Sequence, residues 1–205
     1  MSYWSHRKPV HRARAVDVQD LARASITLLD QGGLRALTVR AVAGRLGTAP
    51  ASLYSRVTSL DDLYDLALDD ALGQDHDVQH ALTTSDLHGL MIALYRHLVR
   101  HPWTCQVIGM RAPRGPSYLR LSERMCQLLD EQGAPDPLGT AYALSNFVIG
   151  SATTAPAVGS ERATPIDPSA APLYAHLHAE HTTTPEQIVA AGLTVLEAIP
   201  APKPR

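Results

Sequence analysis

The sequence predicts an all-α protein in two parts, a helix-turn-helix module over residues 1–60 and a larger helical domain over residues 61–205. Three observations carry that prediction. Apolar residues recur at spacings of three and four in every long segment, and no alternation of period two persists, so helices account for the chain without strands. Glycine and proline stand between those segments, at Gly32-Gly33, Gly47, Pro102, Pro113 to Pro116, and Gly133, where helices must end. Charge is divided: residues 1–60 hold nine basic groups against three aspartates, and the remainder holds nine against seventeen acidic groups.

Each element follows from local chemistry. Residues 1–14 are polar and basic without a helical period, and read as a flexible arm. From Asp17 to Gln31, Leu21, Ala24, Leu28 and Leu29 fall on one stripe, a first helix stopped by the glycine pair. Thr38 stands where an N-cap hydroxyl accepts from an orphan amide. Val42 and Leu46 follow four apart, and Gly47 supplies the left-handed residue that ends this helix. Thr48 then caps a short second helix that carries Leu53 and Val57 inward. Ser59 with Asp62 approximates a capping box. It opens a helix from Asp61 to about Leu72, with Leu63, Leu66, Ala67 and Leu72 inward and the aspartates outward. Helix, glycine turn and short second helix make a helix-turn-helix, whose second helix enters a DNA major groove.

In the larger domain, Asp86 to Arg100 presents Leu87, Leu90, Met91, Leu94, Tyr95 and Leu98 on a wide apolar face. Pro102 breaks it. A shorter apolar piece runs from Trp103 to Met110, and a further helix from Ser117 to Glu131 carries Leu121, Met125, Leu128 and Leu129. Pro137 to Thr154 is apolar nearly all round, which implies burial on more than one side. Thr153 to Pro172, rich in Pro, Ala, Ser and Thr, reads as a mobile loop. A short helix follows over Leu173 to His181, and Thr184-Pro185 opens a last one to Ile199 with Val189, Leu193 and Leu196 as its seam. Nine or ten helices result. Those at 137–154 and 185–199 are too apolar to face water and are the expected seam of a homodimer.

Composition bounds the function. A chain of 205 residues holds such a module and a domain with ample core. No run approaches the ~18 apolar residues of a membrane span, and no signal-peptide core follows the basic start, so no membrane association is expected and the cytoplasm is the expected compartment. Cys105 and Cys126 form no metal spacing and fit a reducing compartment. The histidines come in groups (His97 with His101, His76 with His80, and His176, His178 and His181) without cysteine or carboxylate partners at a recurrent ligand spacing. No metal and no cofactor is therefore expected. Neither a glycine phosphate loop, a nucleophile elbow nor a spaced carboxylate pair occurs, so no enzyme is expected. A basic head on an acidic body suits a phosphate-facing module carried by a second domain.

The run from Leu37 to Leu72, LTVRAVAGRLGTAPASLYSRVTSLDDLYDLALDDAL, resembles the DNA-binding region of the tetracycline-repressor (TetR) family in its LTVR opening, its LG turn and its SLY-x-x-V second helix. HPW at His101 to Trp103, RAPRGPSYLRL at Arg111 to Leu121 and YALSNFVIG at Tyr142 to Gly150 resemble the regulatory domain of the tetracycline repressor's own branch. The resemblance implies a homodimer on double-stranded, palindromic operator DNA, with half-sites ~34–36 Å apart, released by a small-molecule effector bound in the helical body. By geometry Thr48, Ala49, Pro50, Ala51 and Ser52 face the groove, with Pro50 and Ala51 offering apolar contact such as a thymine methyl. Tyr54 and Arg56 reach phosphates, and Thr38, at the cap of the preceding helix, is counted with them. Arg40 matches the position from which the family commonly reads a guanine. Leu60 stands where many members place a basic residue, leaving backbone amides to meet a phosphate there.

For the effector, the resemblance implies a pocket in the body. Of the positions that hold a metal–drug chelate in the tetracycline branch, His76 is retained. Leu90 replaces the amide, Leu94 the aromatic, Ile108 the metal histidine and Thr154 a carboxylate. Those losses remove the partners of a hard cation and of polar oxygens, so no magnesium–tetracycline binding is expected. The expected effector is a larger, mostly apolar or aromatic molecule. Leu121, Met125 and Phe147 join the lining, and Arg111 or Arg124 would anchor an anionic group. Two readings stand at this point: a repressor relieved by its effector, and a helical small-molecule-binding protein whose helix-turn-helix no longer binds DNA. Pro50, Ala51 and Leu60, weakly polar for a reading surface, speak for the second.

Overall fold

Asp17 starts the first helix by accepting the amide of Gln19 on its own carboxylate at 2.8 Å, and Leu21 and Leu29 seat that helix with almost no exposure. The computed structural model describes residues 2–6 and 16–198. Helix α1 (Val18–Ala36) is kinked where Gly32 and Gly33 leave helical geometry, Gly33 at a φ of 64°. Next come α2 (Val39–Arg45), α3 (Pro50–Leu53) and α4 (Leu60–Gln74). Then follow α5 (His76–Thr84), α6 (Leu87–Arg100), α7 (Trp103–Met110), α8 (Pro116–Glu131) and α9 (Pro137–Thr154). The chain continues through α10 (Val158–Ala163) and α11 (Pro172–Glu180) to α12 (Pro185–Ala198). No strand occurs among the described residues.

Local signals place the motif helices. Thr38 Oγ1 accepts the amide of Ala41 at 3.0 Å, the N-cap of α2. Gly47, with φ of 62°, turns the chain after Leu46 at negligible steric cost. The cap expected of Thr48 is not made: Ala49 holds that position without a side-chain bond, and Pro50 at the first turn presets the helix instead. Leu53 and Val57 are wholly buried with Val42 and Ala43, so α1, α2 and α3 share one small core.

Helix α4 is the axis of the molecule. It packs along α1 on one side and against α5, α7 and α8 on the others. A helix enclosed on all sides buries its whole circumference, and every residue from Asp62 to Asp69 is buried. Asp62, Asp65 and Asp69, expected to point outward, therefore point inward, each to a specific partner, while Asp61 stays exposed. Around this axis α6 packs on α9, α8 on α9, and α12 on both α6 and α9. Leu90, Met91, Leu98, Leu144, Val148 and Leu193 close the body core at no more than 1% exposure.

Three expectations change. Residues 153–172 are not a continuous loop, because α9 runs on through a 3₁₀ turn at Ala155–Ala157 into α10. Twelve α-helices are formed among the described residues; α5, a separate nine-residue helix capped by Asp75, was not foreseen. Residues 2–6 of the expected arm are ordered against α4, with Tyr3 2% exposed. The remainder of that arm lies outside the described residues.

Candidate functional site

The α2–α3 unit divides sharply by face. Val42, Leu53 and Val57 are buried, while Thr38, Arg40, Ala49, Pro50, Ala51, Ser52 and Tyr54 stand in solvent, Tyr54 with 58% of its surface free. An aromatic left that exposed adds little to the packing of the chain. Thr48 is half-buried at the turn. Arg56 differs from expectation: its Nε donates to the carbonyl of Val16 at 2.8 Å, so part of its guanidinium braces the entry to α1 instead of reaching outward. Arg35 and Arg45 are exposed as well. The face is basic and apolar in patches, which suits phosphates at its rim and thymine methyls at its centre.

The buried carboxylates of α4 and its C-terminal cap join this head to the body. Asp62 Oδ2 accepts from the amide and hydroxyl of Thr58 at 2.6 and 2.8 Å, and from the amide of Ser59 at 3.3 Å. Burial would raise its carboxyl, but the bonds from Thr58 and the nearby His6 outweigh that and leave it below the ordinary carboxylate range. Asp65 pairs with Arg111, whose Nε lies 3.0 Å from Oδ1, and the same guanidinium reaches Asp61 at 2.8 Å. Asp69 caps α8, accepting from the amides of Ser117 and Tyr118 at 2.8 and 3.1 Å. Burial keeps its carboxyl above the usual range despite those amides. Asp75 caps α5 and takes His97 and Arg100, each at 2.8 Å. A second tie runs from α1: Asp30 Oδ1 accepts from Trp103 Nε1 and contacts His101 Nδ1, both at 2.7 Å. The HPW run thus fastens the body to the head, and His97 and His101 are occupied by carboxylates.

Gly115, the N-cap of α8, shows how tight the α4–α8 joint is. A Cβ at this position would fall onto Asp69 Oδ1, the atom that caps the helix. Gly115→Ala is expected to displace that carboxylate and to cost about 1–2 kcal/mol, the worth of a lost cap, read as a lower urea midpoint with unchanged slope.

Two mainly apolar clefts flank α8. The larger, about 810 Å³, lies between α5 and α8 and is floored by Leu82, Leu119 and Leu138, with Arg120, Arg124 and Gln127 on its walls. The smaller, about 370 Å³, lies among α7, α8 and α9, with Ile108, Met125, Ala141, Tyr142 and Ile149. They share Leu119, Ser122, Cys126 and Leu138, so one long ligand could span both. Of the expected effector residues, Ile108, Met125 and Arg124 line these clefts. Arg124 Nε is buried and finds no hydrogen-bond partner among the described residues.

The other expected effector positions lie elsewhere. Leu90, Leu94 and Leu121 are packed into the core at 0, 4 and 1% exposure and line neither cleft. Phe147 is half-buried and its ring covers Gly192 of α12. His76 projects into solvent with 94% of its side chain exposed, stacked on His80. Arg111 is committed to Asp61 and Asp65, so it serves the α4 joint and not an anionic ligand. Thr154 is exposed at the end of α9. The α8 wall residues Leu119, Ser122 and Cys126 escaped the sequence reading. Their signal was the side of the 117–131 helix left over after its buried stripe was assigned.

A helix-turn-helix with an exposed basic face, set on a buried connecting helix beneath a helical body with clefts, defines a two-module helix-turn-helix protein. Residues 84–189 match the model of the tetracyclin repressor-like C-terminal domain, and the chain belongs to the TetR family. An HTH-type transcriptional regulator of Saccharopolyspora erythraea is 34% identical over 156 residues, 72% of this chain and 65% of that protein. The HTH-type transcriptional repressor DrrR1 of Streptomyces coeruleorubidus is 31% identical over 64% of this chain. The matched stretch thus spans 65% and 51% of the lengths of these two relatives. In fold the chain is similar to ActR of Streptomyces coelicolor, with a TM-score of 0.75, 23% identity, and coverage of 91% of this chain and 95% of that one. ActR has also been crystallised in complex with actinorhodin.

Proposed function

We propose that the protein is a homodimeric transcriptional repressor that binds a palindromic operator through α2 and α3 and is released by a mostly apolar or aromatic small molecule lodged beside α8. The observation that carries the reading is the division of the α2–α3 unit. Its aliphatic residues are buried while Arg40, Ser52 and Tyr54 stand in solvent on the surface that a helix-turn-helix turns to a major groove. The same exposure weighs against a head that has lost DNA binding, because a decayed surface has no reason to keep Tyr54 and Arg40 free. The relatives named as transcriptional regulator and repressor support it. The actinorhodin complex of ActR supports a large aromatic ligand in this fold.

Dimerisation through α9 and α12 is supported by what those helices leave uncovered. Leu138, Tyr142, Ile188 and Val195 are between 46 and 63% exposed, and no residue of α11 is buried although Leu173, Tyr174 and Leu177 lie on it. Two heads on a two-fold axis need such a seam. No described helix is long and apolar enough to cross a membrane, and a DNA-binding protein of this kind works in the cytoplasm. Regulation without catalysis is the reading for this chain, as for TetR-family regulators generally.

A gel shift on the DNA flanking the protein's own gene tests the reading. With six to ten phosphates neutralised, affinity is expected to fall by about 10³–10⁵ between 50 and 200 mM salt. Binding that is absent, or indifferent to salt, would contradict it.

A further inference from the structure

Residues 2–6 do something that a loose basic arm would not. A 3₁₀ turn over Tyr3–Ser5, closed by the amide of Ser5 on the carbonyl of Ser2 at 3.0 Å, presses the Tyr3 ring against α4 until 2% of it remains exposed. The amide of Tyr3 donates to Asp65 Oδ2 at 2.8 Å, while the other oxygen of that carboxylate holds Arg111. His6 Nε2 lies 3.1 Å from Asp62 Oδ2 and 3.3 Å from Thr58 Oγ1. Trp4 stands edge-on to Tyr3, their rings 5.1 Å apart, and shares a narrow crevice with Pro113, Arg114, Gly115 and Tyr118.

The loop 111–115, between α7 and α8, also borders the smaller cleft. Pro113, Arg114 and Tyr118 line it, and the same three residues border the crevice that holds Trp4. Segment 2–6 therefore sits in the angle between the first half of α4 and the loop that borders the cleft, beside the direct Arg111 bonds to Asp61 and Asp65. The electrostatics agree: Asp61, Asp62 and Asp65 set three carboxylates on the first two turns of α4, and Arg111 pairs with two of them. The Tyr3 amide and the His6 ring add donors to Asp65 and Asp62.

We propose that residues 2–6 are a strap that fastens the cleft-lining loop 111–115 to the N-terminal half of α4, so that loop and connector move as one body. The role in signalling rests on the ligand-released repressor reading above; the bracing itself does not. Without the strap the loop would meet this end of α4 through the Arg111 ion pairs, and movement at the cleft would reach the head less faithfully.

Hydrogen exchange on the full chain, read by mass spectrometry, tests it without a ligand or an operator. In the Tyr3→Ser, Trp4→Ser double variant, amides over 60–66 and 111–118 should exchange about tenfold faster, with α6 and α9 unchanged. Trp4→Phe alone should keep wild-type protection. Unchanged exchange in both segments would overturn the strap. So would equal acceleration through α6 and α9, which would make these residues ordinary core. A protein that binds no DNA but gives the expected exchange pattern would overturn the repressor reading and leave the strap standing.

Discussion

Arg40→Ala is expected to lower affinity for the operator by a factor of about 30 to 10⁴ and to relax base preference at one position in each half-site. A bidentate arginine–guanine pair is worth roughly 1–3 kcal/mol of discrimination, and a two-fold dimer makes it twice, so about 2–6 kcal/mol is at stake. The change should leave the fold alone, because Arg40 is exposed at the start of α2 while Val42 and Ala43 carry the packing. Fluorescence anisotropy against a panel of duplexes, each altered at one base pair, separates the two effects. Tyr54→Phe provides the contrast: loss of a phosphate contact should weaken all duplexes alike and leave the preference intact. Equal losses on every duplex for Arg40→Ala would remove it from base reading.

Asp75→Ala is the second large effect, on stability. Its carboxylate caps α5 on the amides of Asp77 and Val78 and takes both His97 and Arg100. With its side chain 2% exposed and His97 fully buried, its removal strands the imidazole donor inside and uncaps α5, at a combined cost of about 2–4 kcal/mol. The half-exposed Arg100 contributes little of that. The pH dependence follows from the same pair. Burial opposes the charge on Asp75, but the bond from His97, the Val78 amide and the charge of Arg100 bring its carboxyl down to about 2 from an ordinary 3.8.

A depressed carboxyl stabilises fully above its unfolded value and loses that contribution as pH falls towards about 2. His97 is held below its ordinary 6.5, first by burial, with the Asp75 bond acting in the opposite sense. We take it as neutral, its Nδ1–H donating to Asp75, because Nε2 is buried without a partner for a second proton. The unfolded chain then binds the proton that the folded chain refuses, so stability declines as pH drops below about 6.5. Urea midpoints measured between pH 7.5 and pH 3 should fall throughout the series in the wild type. Asp75→Ala should start lower and lose the acid-most part of that decline.

Most helices were legible because apolar spacing and punctuation agree. Pro102 and Pro137 sit at the starts of α7 and α9, whose limits the sequence reading matches, and the Thr38 cap and the Gly47 turn follow from residue type alone. The aspartates of α4 were not legible. Periodicity assigns a carboxylate to the wet side of a helix, but Asp69 caps a helix 48 residues further on, and such a partner leaves no local mark. Residues 2–6 carried a mark that went unread: two adjacent aromatics, Tyr3 and Trp4, in an otherwise polar stretch. The effector positions fared worst. Resemblance transfers positions, not cavities, and Leu90, Leu94 and Leu121 have become core, while the open space lies along the Leu119, Ser122 and Cys126 side of α8.

The coupling of that space to DNA is tested most directly by anisotropy of a labelled duplex from the flanking DNA, titrated with protein in the presence and absence of an organic extract of the host. Ser122 lines both clefts, so Ser122→Phe blocks their junction while leaving α2 and α3 untouched. The account predicts that the extract weakens duplex binding by the wild type and not by Ser122→Phe, with equal affinities in its absence. An extract without effect on the wild type, or one that releases both proteins alike, would contradict it.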